Sequence, residues 1–226
     1  MAQDGADGVV EKLKMALEAD SASARLQTAM TAGLRPNDAY IDPLVARFGV
    51  EPDFFVRDTI TWALIQHDRS RTLERVLPEL RSVFPQARGQ ALHTLSKLGD
   101  RRAWPAITTE LLQDSDDEVA RTAWRAASVL VPPQEAAALA EILATQFSRG
   151  DRATQRGLSR ALAALGDAAA SVIERGTLDA DAGVRTHAVA TERLIRDPDA
   201  GFDVAIAAAQ RIAALRGAPL VGDLGE

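Results

Sequence analysis

The sequence predicts an all-α solenoid of about six helical hairpins followed by a C-terminal helix. Three observations carry that prediction. One short pattern recurs along the chain every 30 to 35 residues, the period of stacked helical hairpins. Alanine, the strongest helix former, supplies 43 of the 226 residues. Aromatic residues are only 4%, and no run alternates with the period of two that a half-buried strand needs.

Each copy of the pattern follows a turn and opens on a small or β-branched residue, often with Arg beside it. Apolar residues then fall four and eight positions on. A first, weaker copy is Ala24-Arg25, Thr28 and Ala32. The next are Val56-Arg57, Ile60, Leu64 and then Ala87-Arg88, Ala91, Leu95. Val119, Ala123, Ala127 and Thr154, Leu158, Leu162 continue the series, and Val184-Arg185 with Ala188 closes it. Positions four apart lie on one side of a helix, so each copy reads as the second helix of a hairpin with one buried stripe.

The punctuation agrees with this division. Leu98-Gly99-Asp100 and Leu165-Gly166-Asp167 stand at corresponding places, where Gly in the left-handed region ends a helix and Asp starts the next element. Asp53, Asp116 and Asp181 precede second helices as N-caps. Pro43 and Pro105 fall early in first helices, where a missing N–H costs little. Pro78 lies later in its helix and should bend it or mark its end. Val131-Pro132-Pro133 reads as a turn between neighbouring helices, and a further helix is expected near Asp199–Leu215. The expected layout is a disordered tail over 1–8, one solenoid over 9–216 and a flexible tail over 217–226.

Composition narrows the function. The net charge of −6 argues against a general nucleic-acid binder. Arg outnumbers Lys 23 to 3, a bias that high-GC coding produces. The absence of Cys excludes disulfides, thiol chemistry and thiolate metal sites. No apolar run approaches a membrane span, and Met1–Gly8 lacks the basic start and apolar core of a secretory signal. A cytoplasmic protein without membrane contact is the expectation.

No motif supplies catalytic chemistry. His67, His93 and His187 are scattered, and Gln66-His67-Asp68 offers one imidazole and one acid where a metal needs at least three ligands. Asp114-Ser115-Asp116-Asp117-Glu118 lacks the central Gly and distal Glu of a calcium loop and sits where a helix cap belongs. No Ser or Thr has the His and acid pattern of a nucleophile, and no Gly-rich phosphate loop is present. The reading is a non-catalytic protein with neither metal nor cofactor.

The segment Ala103-Trp104-Pro105-Ala106-Ile107 through Leu112, Asp116, Val119 and Arg121 resembles HEAT repeats of the short bacterial kind found in phycobilin-lyase-like proteins. Asp53-Phe54-Phe55-Val56-Arg57-Asp58 and Gln90-Ala91-Leu92-His93-Thr94-Leu95 look like an uncharacterised HEAT-repeat family of high-GC bacteria. The resemblance spans roughly residues 9–216 and implies a fold rather than an activity. One helix, Phe54 to Leu64, is also similar to a helix of HEAT-like alkylpurine DNA glycosylases. That likeness implies Asp58 as an acid, Trp62 as a stacking platform and arginines on phosphates.

The most informative positions are those two before and two after the middle apolar residue of each second helix, which point away from the core. They are Leu26/Met30, Asp58/Trp62, Gly89/His93, Arg121/Arg125, Arg156/Arg160 and Thr186/Ala190. In HEAT arrays the second helices line the concave side. The inner groove is therefore expected to be apolar and aromatic around Met30 and Trp62, and arginine-rich in its middle, with Lys97 at its edge. Arg121/Arg125 and Arg156/Arg160 are like-charged i,i+4 pairs, which cost a few tenths of a kcal/mol each. Trp104 is expected to pack between repeats, and Trp124 to be buried on a helix flank. The groove of Met30, Asp58, Trp62, His93, Lys97, Arg121, Arg125, Arg156 and Arg160 points to a scaffold that binds an acidic protein segment. The alternative is a DNA-binding relative of the glycosylases.

Overall fold

The computed structural model describes residues 2–197 and 202–216, with side chains for 8–197 and 202–210. Among them every regular element is helical, and the architecture is an all-α helical-repeat solenoid. The chain divides into two compact units, Met1–Leu130 and Val131–Glu226. The expected array was a single body. The division falls at Val131-Pro132-Pro133, where two prolines lack backbone donors and a helix cannot continue.

The first unit contains α1 (Ala2–Leu17), α2 (Ala22–Leu34), α3 (Ile41–Phe48), α4 (Phe54–Gln66), α5 (Arg69–Val76), α6 (Pro85–Leu98), α7 (Thr109–Leu112) and α8 (Asp117–Leu130). Helices α2, α4, α6 and α8 lie side by side in chain order, and α3, α5 and α7 pack behind them as hairpin partners. Val56, Ile60, Leu64, Ala87, Ala91, Leu95, Val119, Ala123 and Ala127 are all buried, as the repeat predicts. In α2 Ala32 is buried as expected, but the first two positions of the stripe move by one residue, to Arg25 and Ala29, because Arg25 turns inward to Glu51. Helix α1 starts at Ala2 and packs on α2 and α3, so residues 2–8 are helical where a disordered tail was expected.

First helices are shorter than the repeat suggested. Pro78 follows the end of α5 and opens a 3-10 segment, Leu77–Arg81. Pro105 lies inside another 3-10 segment, Arg101–Ala106, and only four residues of regular helix follow. Gly99 and Gly166 take φ of 62° and 57°, the left-handed values a side chain resists. Asp53, Asp116 and Asp181 accept hydrogen bonds from the first N–H groups of α4, α8 and a later helix.

The recurring Arg has a structural task. Arg25, Arg57, Arg88 and Arg185 each donate to carbonyls five or six residues earlier, in the turn before their own helix. These carbonyls would otherwise end a helix or turn unpaired. Arg25 and Arg47 also converge on Glu51, which is wholly buried and takes a further bond from the Asp53 N–H. Burial pushes the Glu51 carboxyl up, but the bonds from Arg25, Asp53 and Arg47 outweigh it and hold it at about 2.

The second unit contains α9 (Ala136–Ala144), α10 (Arg152–Ala164), α11 (Ala170–Thr177), α12 (Ala182–Arg196) and α13 (Phe202–Arg216). Helices α10, α12 and α13 pack in succession. Thr154, Leu158, Leu162 and Ala188 are buried as expected, whereas Val184 is half-buried. His187 ties this unit together. Its Nδ1 accepts the Ser148 N–H at 3.0 Å, which leaves Nε2–H to donate to the Gln155 carbonyl at 2.9 Å. Ser159 and Thr191 complete the buried polar network, and burial lowers the His187 pKa to about 4. The tail expected over 217–226 lies outside the described residues.

Candidate functional site

The nine residues proposed for the groove divide between the two units. Met30, Asp58, Trp62, His93, Lys97, Arg121 and Arg125 belong to the first, and Arg156 and Arg160 to the second.

In the first unit, outward positions of successive second helices meet. The Asp58 carboxylate on α4 lies 3.3 Å from His93 Nε2 on α6, and His93 Nδ1 lies 2.9 Å from an Arg125 Nη on α8. Arg125 can only donate, so Nδ1 carries no proton and Nε2–H donates to Asp58. Burial lowers the His93 pKa, Arg125 and Lys97 lower it further, and Asp58 only partly opposes them. The imidazole is therefore neutral at pH 7. Partial burial, and then the charge of Arg121, also disfavours the cation of Arg125, with Glu118 and Asp58 opposing. Arg121 is itself engaged by Glu118 one turn earlier. Lys97 is exposed one turn beyond His93.

The aromatic part of the groove differs from expectation. Trp62 is half-buried rather than free, because its ring lies over Gly33 of α2. A Cβ at residue 33 would stand 2.4 Å from the Trp62 ring, so the missing side chain makes the seat for the indole. Met30 on α2 remains exposed. Asp58 and Trp62, the acid and platform implied by the glycosylase resemblance, are thus bonded to His93 and laid on Gly33. Trp124 is buried, and its indole N–H donates to the Leu112 carbonyl within the same hairpin.

In the second unit the equivalent face is partly covered. Ala190, expected to point outward, is buried with Phe202, Ala205, Ile206 and Ala209 of α13. Arg156 reaches Asp203 at 2.9 Å, and its guanidinium sits 5.9 Å from the Phe202 ring centre. Arg160 is exposed and has no hydrogen-bond or ion-pair partner among the described residues. A pocket of about 670 Å³ opens beside the two arginines, walled by Leu194, Ile195, Phe202 and Val204.

Two features escaped the repeat analysis. The α13 side of this pocket was missed because the repeat pattern stops before it. The other is a set of strongly exposed apolar side chains, Val50, Phe54, Phe55, Val83 and Phe84. Its signal was legible: Phe54-Phe55 and Val83-Phe84 stand just before the buried stripes that start at Val56 and Ala87. Asp114 and Asp116, considered for calcium, instead hold Arg88 and cap α8. Among the described residues no three His, Cys, Asp or Glu side chains are grouped to hold a metal, and no helix is long and apolar enough to cross a membrane.

No family model and no curated protein matches the chain. Among solved structures it is similar to two engineered proteins from the Northeast Structural Genomics Consortium, each at 19% identity and a TM-score of 0.46. One match covers 88% of this chain and 97% of the other, and the second covers 85% and 99%. A designed armadillo repeat protein is similar at 13% identity and a TM-score of 0.44, over 81% of this chain and 98% of its own.

Proposed function

We propose that the chain is a non-catalytic interaction module whose first unit binds an acidic protein segment along Lys97, Arg121 and Arg125. The supporting observation is the state of Arg125. Arg25 and Arg88 each form two hydrogen bonds to one carboxylate, whereas the hydrogen bond that holds Arg125 runs to a neutral imidazole. An incoming carboxylate would supply the charge that His93 does not, and Arg presents a fork matched to it. Met30 offers an exposed apolar contact on α2, at the other end of the same layer of second helices.

The test is titration of the full chain with a labelled Glu- and Leu-rich peptide. The peptide should bind saturably, and Arg125→Glu should weaken it at least tenfold with the melting temperature unchanged, since like charges would now face each other. Equal affinity in wild type and variant overturns the reading. So does duplex DNA binding more tightly than the peptide with a steep loss in salt, which would favour phosphate recognition instead.

A further inference from the structure

We propose that the second unit binds a small amphipathic carboxylate in the pocket between α10, α12 and α13. The site and ligand differ from those of the acidic-segment reading, and the two proposals stand or fall separately.

The pocket is an unbalanced surface in both charge and polarity. Arg156 and Arg160 bring two positive charges, and Asp203 returns one negative charge. A single anion would neutralise the remainder. Asp203 is already committed to Arg156, at 2.9 Å, with Arg152 3.9 Å away on its other oxygen. That pair fixes the Arg156 guanidinium against Phe202 and leaves Arg160 as the cation without a carboxylate. The Arg156 Nε–H is buried and has no acceptor, a loss that folded proteins normally avoid. A ligand carboxylate, with two oxygens and several lone pairs, suits two neighbouring guanidinium groups better than a spherical anion does.

The rest of the pocket calls for an apolar body. Leu194 and Phe202 form its inner wall, while Ile195 and Val204 stay 43% and 59% exposed at its mouth. Large aliphatic side chains left open beside a cationic rim mark a surface that gains by being covered. The volume, about 670 Å³, falls within the range of small-ligand sites rather than of protein grooves. Charge at one edge, hydrocarbon across the floor and this size together describe a medium-chain carboxylic acid.

Decanoate is the probe, measured by isothermal titration calorimetry on the full chain, with decanol as the neutral control. Decanoate should bind once per chain and raise the melting temperature. Decanol should bind at least tenfold more weakly. Arg160→Ala and Ile195→Glu both alter exposed side chains, so each variant should fold, and each should lose at least tenfold in decanoate affinity. Arg160→Lys should recover part of the loss, since it restores charge without the fork. Failure of decanoate to saturate, equal binding of decanol, or undiminished binding by Arg160→Ala would each overturn the proposal. Binding of the Glu- and Leu-rich peptide, but not decanoate, at this pocket would overturn it as well.

Discussion

The two units use the same repeat positions to different ends. In the first, outward residues of α4, α6 and α8 meet as Asp58, His93 and Arg125. In the second, the outward residues of α10 and α12 meet α13, which buries Ala190 and engages Arg156 through Asp203. The repeat thus sets which side of a second helix is left over, and the element that follows decides whether that side stays a surface. The units also differ in how they hold their buried polar groups. The first closes on an ionised cluster at Glu51, and the second on a neutral histidine at position 187.

Glu51→Ala should give the largest change. It leaves Arg25 buried without its carboxylate, and breaking such a pair typically costs about 3–5 kcal/mol. Chemical denaturation followed by tryptophan fluorescence measures this in the first unit alone, because Trp62, Trp104 and Trp124 all belong to it. A loss below about 1 kcal/mol would mean the cluster does not organise that unit.

Leu95→Ala and Leu162→Ala compare the cores directly. Both side chains are fully buried, so each should cost about 2–5 kcal/mol. Only the first should move the fluorescence transition, whereas circular dichroism should register both.

Acid should separate the units in order. The folded pKa of His187, about 4, lies below its ordinary 6.5, so unfolding takes up a proton below pH 6.5. Its stabilisation is present above that pH and is lost as pH falls toward 4, by on the order of 3 kcal/mol. Glu51 behaves likewise but lower, keeping its contribution above pH 4.5 and losing it toward about 2. Helical signal should therefore fall before tryptophan fluorescence changes. The reverse order, or coincident transitions, would remove the distinction drawn between the two polar cores.

Gly33→Ala is the smallest of these effects and tests the seat of Trp62. The new methyl would meet the indole and the Ala63 backbone, at 2.4 and 2.9 Å. Displacing them should cost about 1–3 kcal/mol and shift the fluorescence of Trp62. An unchanged spectrum would show that the ring is free of α2.

Part of the candidate site could be read from the chain in advance. The repeat register put Asp58, His93 and Arg125 at outward positions of their helices, and stacking of α4, α6 and α8 then brought them within bonding distance. Trp62 was legible as an outward aromatic, but not as one lying on a glycine of the previous repeat. Likewise the repeated Arg was visible at 25, 57, 88 and 185, whereas its use in holding the preceding turn was not.

By itself the sequence determined what depends on neighbours within a few residues. That includes the helix starts at Asp53, Asp116 and Asp181, the left-handed stops at Gly99 and Gly166, and the buried stripes from Val56 to Leu162. These follow from hydrogen bonds and periodicity inside one turn of helix, which any local reading contains. Tertiary structure alone decided the break at residue 130, the cover that α13 places over α12, and the carboxylates that meet Arg25, Arg88 and Arg156. Those outcomes depend on which side chains arrive from other helices, as Asp203 does for Arg156. Periodicity reports that a face is apolar or charged, and it carries no information about what stands across from it.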